Sequence, residues 1–341
     1  MRRKQWLVVA AFFAFTFVAV NQGGDIARFI ADWELGSAET FGAEVPKRID
    51  LAKLSEEERA LYERIVAEAP ERRIEPIDAR VDSVWKAIPG LNGREVDIER
   101  TFTLARQQGV DKAIPFLYRE IPVGITLEDL GAQPIYKGNP RKPMVSFMIN
   151  VAWKEENIPA MLDILREEEV KATFFFLGSW LKDPEHMEIA TQIAEEGHEL
   201  ANHAYSHKDL SDLTNAQVRK ELEETQMLLQ EIGVEHNQLF APPSGDFNEN
   251  TVRVAHEMGL HTILWTIDTV DWKNPDPNSI VRKIGSRLEP GALILMHPTE
   301  SARDALQGMI RAAKKKGLAV GTVSNTISPY RALSVETPPG F

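Results

Sequence analysis

The chain of 341 residues contains no cysteine, which excludes disulfides, thiolate metal sites, a cysteine nucleophile and the acylated cysteine of a lipoprotein. Any metal must therefore sit on histidine, carboxylate or amide ligands. Positive charge is also scarce, with 39 basic against 51 acidic residues and a net charge of −12. This argues against nucleic acid as a partner, because phosphate binding rests on lysine and arginine displacing counterions. No apolar run reaches the ~20 residues that cross a bilayer as a helix. The longest, from Trp6 to Val20, is broken only by Thr16.

What is present begins with the address. Arg2, Arg3 and Lys4 precede that apolar run, the charged and hydrophobic regions of an export signal. Without a good A-x-A site, residues 1–24 read either as a cleaved signal peptide or as an uncleaved membrane anchor. In both cases the remainder lies outside the cytoplasm, secreted or held at the outer face of the membrane. The body is ordinary globular material, 43% hydrophobic and 26% charged, long enough for two domains.

Residues 25–135 read as a small α+β domain. Ser55 and Glu58 form a capping box that opens a helix with Leu61, Ile65 and Val66 on one face, and Pro70 marks its end. Val81 to Ile88 and Glu95 to Leu104 flank Pro89-Gly90-Leu91-Asn92-Gly93 and predict a hairpin. Gly131 to Pro143, with three prolines and two glycines, suits a linker and puts a boundary near residue 138. Over 138–330 short apolar runs alternate with amphipathic segments: Met144 to Asn150, Thr173 to Leu177, Glu199 to Asn202, Leu239 to Pro242, Thr262 to Ile267, Ala292 to Met296 and Leu318 to Thr322. Strand-helix repetition implies parallel pairing, and about seven units suit a closed or nearly closed α/β barrel. Residues 331–341 form a tail.

In such barrels chemistry gathers where strands end. Asn150, His203, His207, Pro242 to Gly245, Asp268, Asp271 and His297 all fall there. His203 and His207 have the i, i+4 spacing that lets two imidazoles reach one ion, or they are plain loop or core histidines. Asp268 or Asp271 beside His297 would orient that imidazole as a general acid, or else one Asp is a helix cap and His297 a buried, satisfied ring. His186, His198, His236, His256 and His261 read as structural or surface residues. Trp153 and Trp272 are either sugar-stacking platforms or core.

From about residue 138 to 325 the chain resembles the polysaccharide deacetylases of carbohydrate esterase family 4, the NodB-homology domain. The match runs through Val170-Lys171-Ala172-Thr173-Phe174-Phe175-Phe176-Leu177-Gly178, Gly197-His198-Glu199-Leu200-Ala201-Asn202-His203, Asp268 to Trp272 and Leu295-Met296-His297. The resemblance implies a distorted (β/α) barrel and removal of N-acetyl groups from amino sugars of peptidoglycan or chitin. It also implies a divalent metal, usually zinc, on an Asp and two His, with a second Asp as base, an Arg that orients it and a His as acid. Position by position, His203 and His207 match the metal histidines, His297 the acid, and Asp271 with Trp272 the segment supporting it. Trp272, Asn150 and Ser244 are expected to line the substrate groove.

Departures from the family pattern are as informative. Read against Thr-Phe-Asp-Asp-Gly, Ser146-Phe147-Met148-Ile149-Asn150 puts Met148 at the base and Ile149 at the metal carboxylate, leaving the third ligand missing. Ala241 stands where the Arg precedes Pro242 and Pro243, and Ser244 where the family has Tyr. An Arg without its carboxylate would be an uncompensated buried charge, so the paired loss is physically coherent. Asn150-Val151-Ala152-Trp153 and the preceding domain also resemble a degenerate, sporulation-associated branch of the YlxY type. The expectation is weak or absent catalysis by the family route. The competing readings are a hydrolase with a substitute ligand (Asn150, Asp268 or water), a non-catalytic glycan-binding scaffold of the cell envelope or spore, and an interaction module in residues 25–135.

Overall fold

The computed structural model describes residues 49–234 and 237–332. The export segment, the weakly patterned stretch up to residue 48, His236 and the tail beyond residue 332 lie outside the described residues. No described helix is long and apolar enough to cross a membrane. The described chain divides into two compact units, residues 49–68 with 97–117, and residues 69–96 with 118–332. Residues on both sides of the boundary expected near 138 thus belong to the second unit.

In the first unit, α1 (Glu56–Glu68) starts from the expected capping box: the Ser55 hydroxyl accepts from the Glu58 N–H at 3.2 Å, and the Glu58 carboxylate from the Ser55 N–H at 3.0 Å. Leu61 and Ile65 are buried, and Val66 is exposed. Helix α2 (Ile98–Gln108) occupies the stretch expected to be a strand. Val96 and Ile98 do alternate, but Asp97 accepts from the Arg100 N–H at 3.0 Å and caps a helix whose buried residues, Thr101, Phe102 and Ala105, follow the 3.6-residue period. Tyr62 meets Phe102 edge to face at 5.6 Å.

In the second unit, β1 (Arg80–Asp82) pairs antiparallel with β2 (Lys86–Ile88) and β3 (Gly93–Val96) with β4 (Tyr118–Ile121), so the hairpin expected between Val81 to Ile88 and Glu95 to Leu104 is replaced by one lying wholly within residues 80–88. The rest is a parallel sheet of β5 (Met144–Val151), β6 (Thr173–Phe176), β7 (Glu199–Asn202), β8 (Leu239–Phe240), β9 (His261–Thr262), β10 (Ile267–Asp268), β11 (Leu293–Met296) and β12 (Ala319–Gly321). Its order is β10-β11-β5-β6-β7-β8-β9, and β12 shares one edge of β5 with β6, against Met144 to Ser146. The principal helices of this unit are α3 (Ile158–Glu167), α4 (Gly178–Leu181), α5 (Pro184–Glu195), α6 (Asn215–Glu231), α7 (Glu249–Glu257), α8 (Pro277–Arg287), α9 (Glu300–Lys315) and α10 (Val323–Ile327). This is the expected distorted barrel, with one expected strand divided: Thr262 pairs toward β8 and Ile267 toward β11, the two ends of the curled sheet. Between them Ile263 bridges to Ile135.

Every residue of β5 is buried, as a central parallel strand covered on both faces requires. Alternation divides those faces. Val145, Phe147, Ile149 and Val151 pack in a cluster with α3 and α9, on the helix side. Met148 joins Phe175, Ala201, Leu239, Ala241, Ile263 and Leu293 in a second cluster that fills the barrel interior. Asn150, two residues beyond Met148, faces the interior one step nearer the rim.

Candidate functional site

His203 follows β7 at the rim, on the interior face shared with Ala201. Its Nδ1 lies 2.7 Å from the Ala241 carbonyl oxygen, which can only accept, so Nδ1 carries the proton and Nε2 keeps its lone pair. Burial pushes the imidazole down to about 3, helped by His207 and His297 and opposed by the bond to Ala241. His203 is therefore neutral. The His207 ring sits edge-on to it at 5.5 Å.

The loop that presents both rings is held from several sides. Asn202 Oδ1 accepts from the Ala204 N–H at 2.8 Å, while its amide donates to the Leu222 carbonyl. Glu221, buried on α6, accepts from the N–H groups of Tyr205 at 3.0 Å and Ser206 at 2.7 Å and from the Ser206 hydroxyl. Gly178 and Ser179 donate to the carbonyls of Ala204 and Tyr205. A side chain at Gly178 would put its Cβ 2.7 Å from the Tyr205 ring. These bonds satisfy a backbone that is left-handed at Ala204 and His207, a conformation that costs L-residues on the order of 1–3 kcal/mol each. Replacing Glu221 by Ala is expected to cost about 2 kcal/mol and to broaden the His207 ring resonances, as three part-buried donors lose their acceptor. Unchanged resonances in a folded variant would show that the loop holds itself.

Across the rim, β11 ends at Met296 and delivers His297. Asp271 is fully buried and accepts from the His297 N–H at 3.0 Å, from His297 Nδ1 at 3.1 Å and from the hydroxyls of Thr269 at 2.7 Å and Thr299 at 2.8 Å. Burial alone would raise its carboxyl, but the bonds and charge of His297 and the two hydroxyls hold it below the usual value. Asp271 thus fixes the His297 tautomer and leaves Nε2 turned to other partners. Asp268 caps a turn instead, accepting from the Val270 N–H at 2.7 Å. Val270 is left-handed, an outlier for a β-branched residue. Lys154, Ala204, His207, Ser244, Val270 and Asn274 place most of the non-glycine left-handed residues in these rim loops. Strain of this kind persists where a site is over-determined.

The other expected residues scatter. Ile149 packs on the helix side with Phe147 and Val151, facing away from the histidines, so the register that carried a metal carboxylate to Ile149 and a base to Met148 is corrected by the alternation of β5. Met148 is sunk in the apolar interior beside Ala241. Asn150 is the β5 residue that reaches the rim on the histidine side, and its Oδ1 is buried without a hydrogen-bond partner among the described residues. Ser244 is exposed, as is Trp272, whose ring lies 4.7 Å from the Lys273 ammonium. The Trp153 ring lies tilted by 30° against His297, with centroids 5.1 Å apart. His186 stacks on Trp180, and His198 accepts from the Ala172 N–H at 3.2 Å. Sequence reasoning missed Glu221, Thr299 and the Ala241 carbonyl. A helix-face glutamate reads as solvated, and a carbonyl carries no residue signal at all.

A family model for polysaccharide deacetylase matches residues 137–263. The chain is 42% identical to the uncharacterized protein YlxY of Bacillus subtilis, over 80% of this chain and 85% of that one. It belongs to the polysaccharide deacetylase family. A peptidoglycan-N-acetylglucosamine deacetylase of Bacillus cereus is 34% identical over 48% of this chain and 60% of its own length. The solved structure of wild-type BA3943 from Bacillus anthracis, described as a CE4 family pseudoenzyme, superposes with a TM-score of 0.74 at 38% identity, covering 80% of this chain and 96% of that one. A BA3943 mutant described as having restored enzymatic activity matches equally, with a TM-score of 0.74 at 36% identity over 80% of this chain and 99% of that one.

Polysaccharide deacetylases are typically metal-dependent, and a catalytic zinc site needs three protein donors. His203 supplies a neutral imidazole of the right tautomer and His207 a second. No group of three His, Asp or Glu able to hold an ion occurs among the described residues. Asn150 offers only a neutral amide oxygen. This donor set does not fit a resident zinc ion.

Proposed function

We propose that this polysaccharide deacetylase family member recognises an N-acetylated amino-sugar polymer, of the peptidoglycan or chitin type, outside the cytoplasm, with weak or no hydrolysis by its own residues. One observation carries the reading. The acid side of the site is kept, with His297 held by a four-bonded Asp271, while β5 ends on the interior face with the neutral amide of Asn150 and the interior below it is apolar. Basic residues ahead of the Trp6 to Val20 run support export.

His297 is placed to pass a proton from Nε2 to a leaving amine, since Asp271 orients the ring through Nδ1. Among the described residues no carboxylate is placed opposite His297 to take a proton from water, and losing a general base alone costs about 10² to 10⁴ in rate. Binding energy from the groove is untouched by that loss.

The deciding measurement is zinc content of the full chain beside His203→Ala, together with acetate release from chitotetraose. The expected result is no stoichiometric zinc at micromolar concentration and no acetate above background. Stoichiometric zinc that His203→Ala abolishes, with steady acetate release, would overturn the non-hydrolytic reading in favour of a rebuilt site.

A further inference from the structure

Trp153 is one of several exposed large apolar residues of the second unit, alongside Trp272, Met227 and Tyr330. It is 38% exposed although it sits at the rim, with one face against the His297 ring at 5.1 Å and 30°. Its loop is fastened by the residues that follow the indole. Lys154 is left-handed, Glu155 accepts from Trp180 Nε1 at 3.4 Å and lies 3.6 Å from His186 Nε2, and Asn157 accepts from Arg303 at 2.8 Å. An indole held part-exposed on an anchored loop beside His297 keeps a rigid amphipathic ring surface available at the rim. Its rigid, amphipathic face suits a surface that is apolar and edged with hydroxyls, the C–H face of a pyranose ring.

We propose that Trp153 is the principal sugar-stacking residue of the groove, gripping the pyranose through its C–H face. The inference rests on the glycan-directed reading above and adds the residue and the part of the sugar it grips. Stacking of this kind reads the ring, not the acetamide. Trp153 therefore supplies affinity shared by any β-1,4-linked glucopyranose chain, and discrimination for N-acetyl groups falls to other residues of the rim.

The test is calorimetric titration of the full chain with chitotetraose and with cellotetraose, for wild type, Trp153→Ala and Trp153→Leu. Wild type is expected to bind chitotetraose more tightly, and Trp153→Ala to weaken both sugars by roughly the same factor, about tenfold. Trp153→Leu keeps apolar bulk without a flat face and is expected to weaken both as well. Should Trp153→Leu bind like wild type, or only chitotetraose suffer, the stacking role is overturned while the glycan reading stands. If wild type binds neither sugar, the glycan reading itself fails and takes this inference with it.

Discussion

Replacing Asn150 by Asp is expected to give the full chain a zinc site at least about 100-fold tighter than wild type, because a carboxylate on the interior face of β5 completes a three-donor set with His203 and His207. The loop needs no rebuilding, since Asn202, Glu221, Gly178 and Ser179 already hold both imidazoles in place. Zinc titration followed by a double variant with His203→Ala checks the ligand assignment, and the gain must vanish in the double variant. Met148→Asp is the contrast. Its charge would enter the cluster of Phe175, Ala201, Ala241 and Ile263 with no partner, a change that costs on the order of 3–5 kcal/mol and creates no metal site. An Ile149→Asp that binds zinc, beside an inert Asn150→Asp, would restore the register that puts the metal carboxylate at Ile149.

Acid is expected to unfold the barrel through its buried histidines. His203 is pushed by burial from the ordinary 6.5 to about 3, and His198, for the same reason, to about 4. Both folded values lie below the unfolded one, so the unfolded chain binds protons more readily. The stability these rings contribute is fully present above pH 6.5 and is lost as pH falls toward 4 and then 3. Together they account for a loss on the order of several kcal/mol. Glu199 acts in the opposite sense, since burial raises its carboxyl and its contribution fades as pH rises. Urea unfolding between pH 7 and 4 checks the sum. His203→Gln, which keeps a donor for the Ala241 carbonyl, is expected to flatten the slope, and an unchanged slope would mean that His203 is not the ring taking up the proton.

Much of this was legible in one dimension. The eight buried residues of β5 form a run that only a covered parallel strand explains, and the repetition of such runs dictates the barrel. The spacing of His203 and His207 holds because one loop carries both, and Ser55 with Glu58 forms the expected cap. Errors came where two periods fit one stretch. Residues 95 to 104 satisfy alternation at Val96 and Ile98, yet Asp97 supplies a cap and Thr101, Phe102 and Ala105 a helical face. Thr262 to Ile267 reads as one strand because nothing local reveals that its ends pair with opposite ends of the sheet.

By itself the sequence determined most of the barrel's strand and helix order, the exclusion of thiolate chemistry, and the histidines and Asp271 that reach the rim. Those properties are local, set by periodicity, charge and residue type. Only tertiary structure decided that Asn150 and not Ile149 faces the histidines, that the Ala241 carbonyl sets the His203 tautomer, and that Asp271 rather than Asp268 holds His297. Each depends on which side of a strand a residue takes and on partners 26 to 38 positions away or on other strands, a distance over which sequence carries no geometric signal.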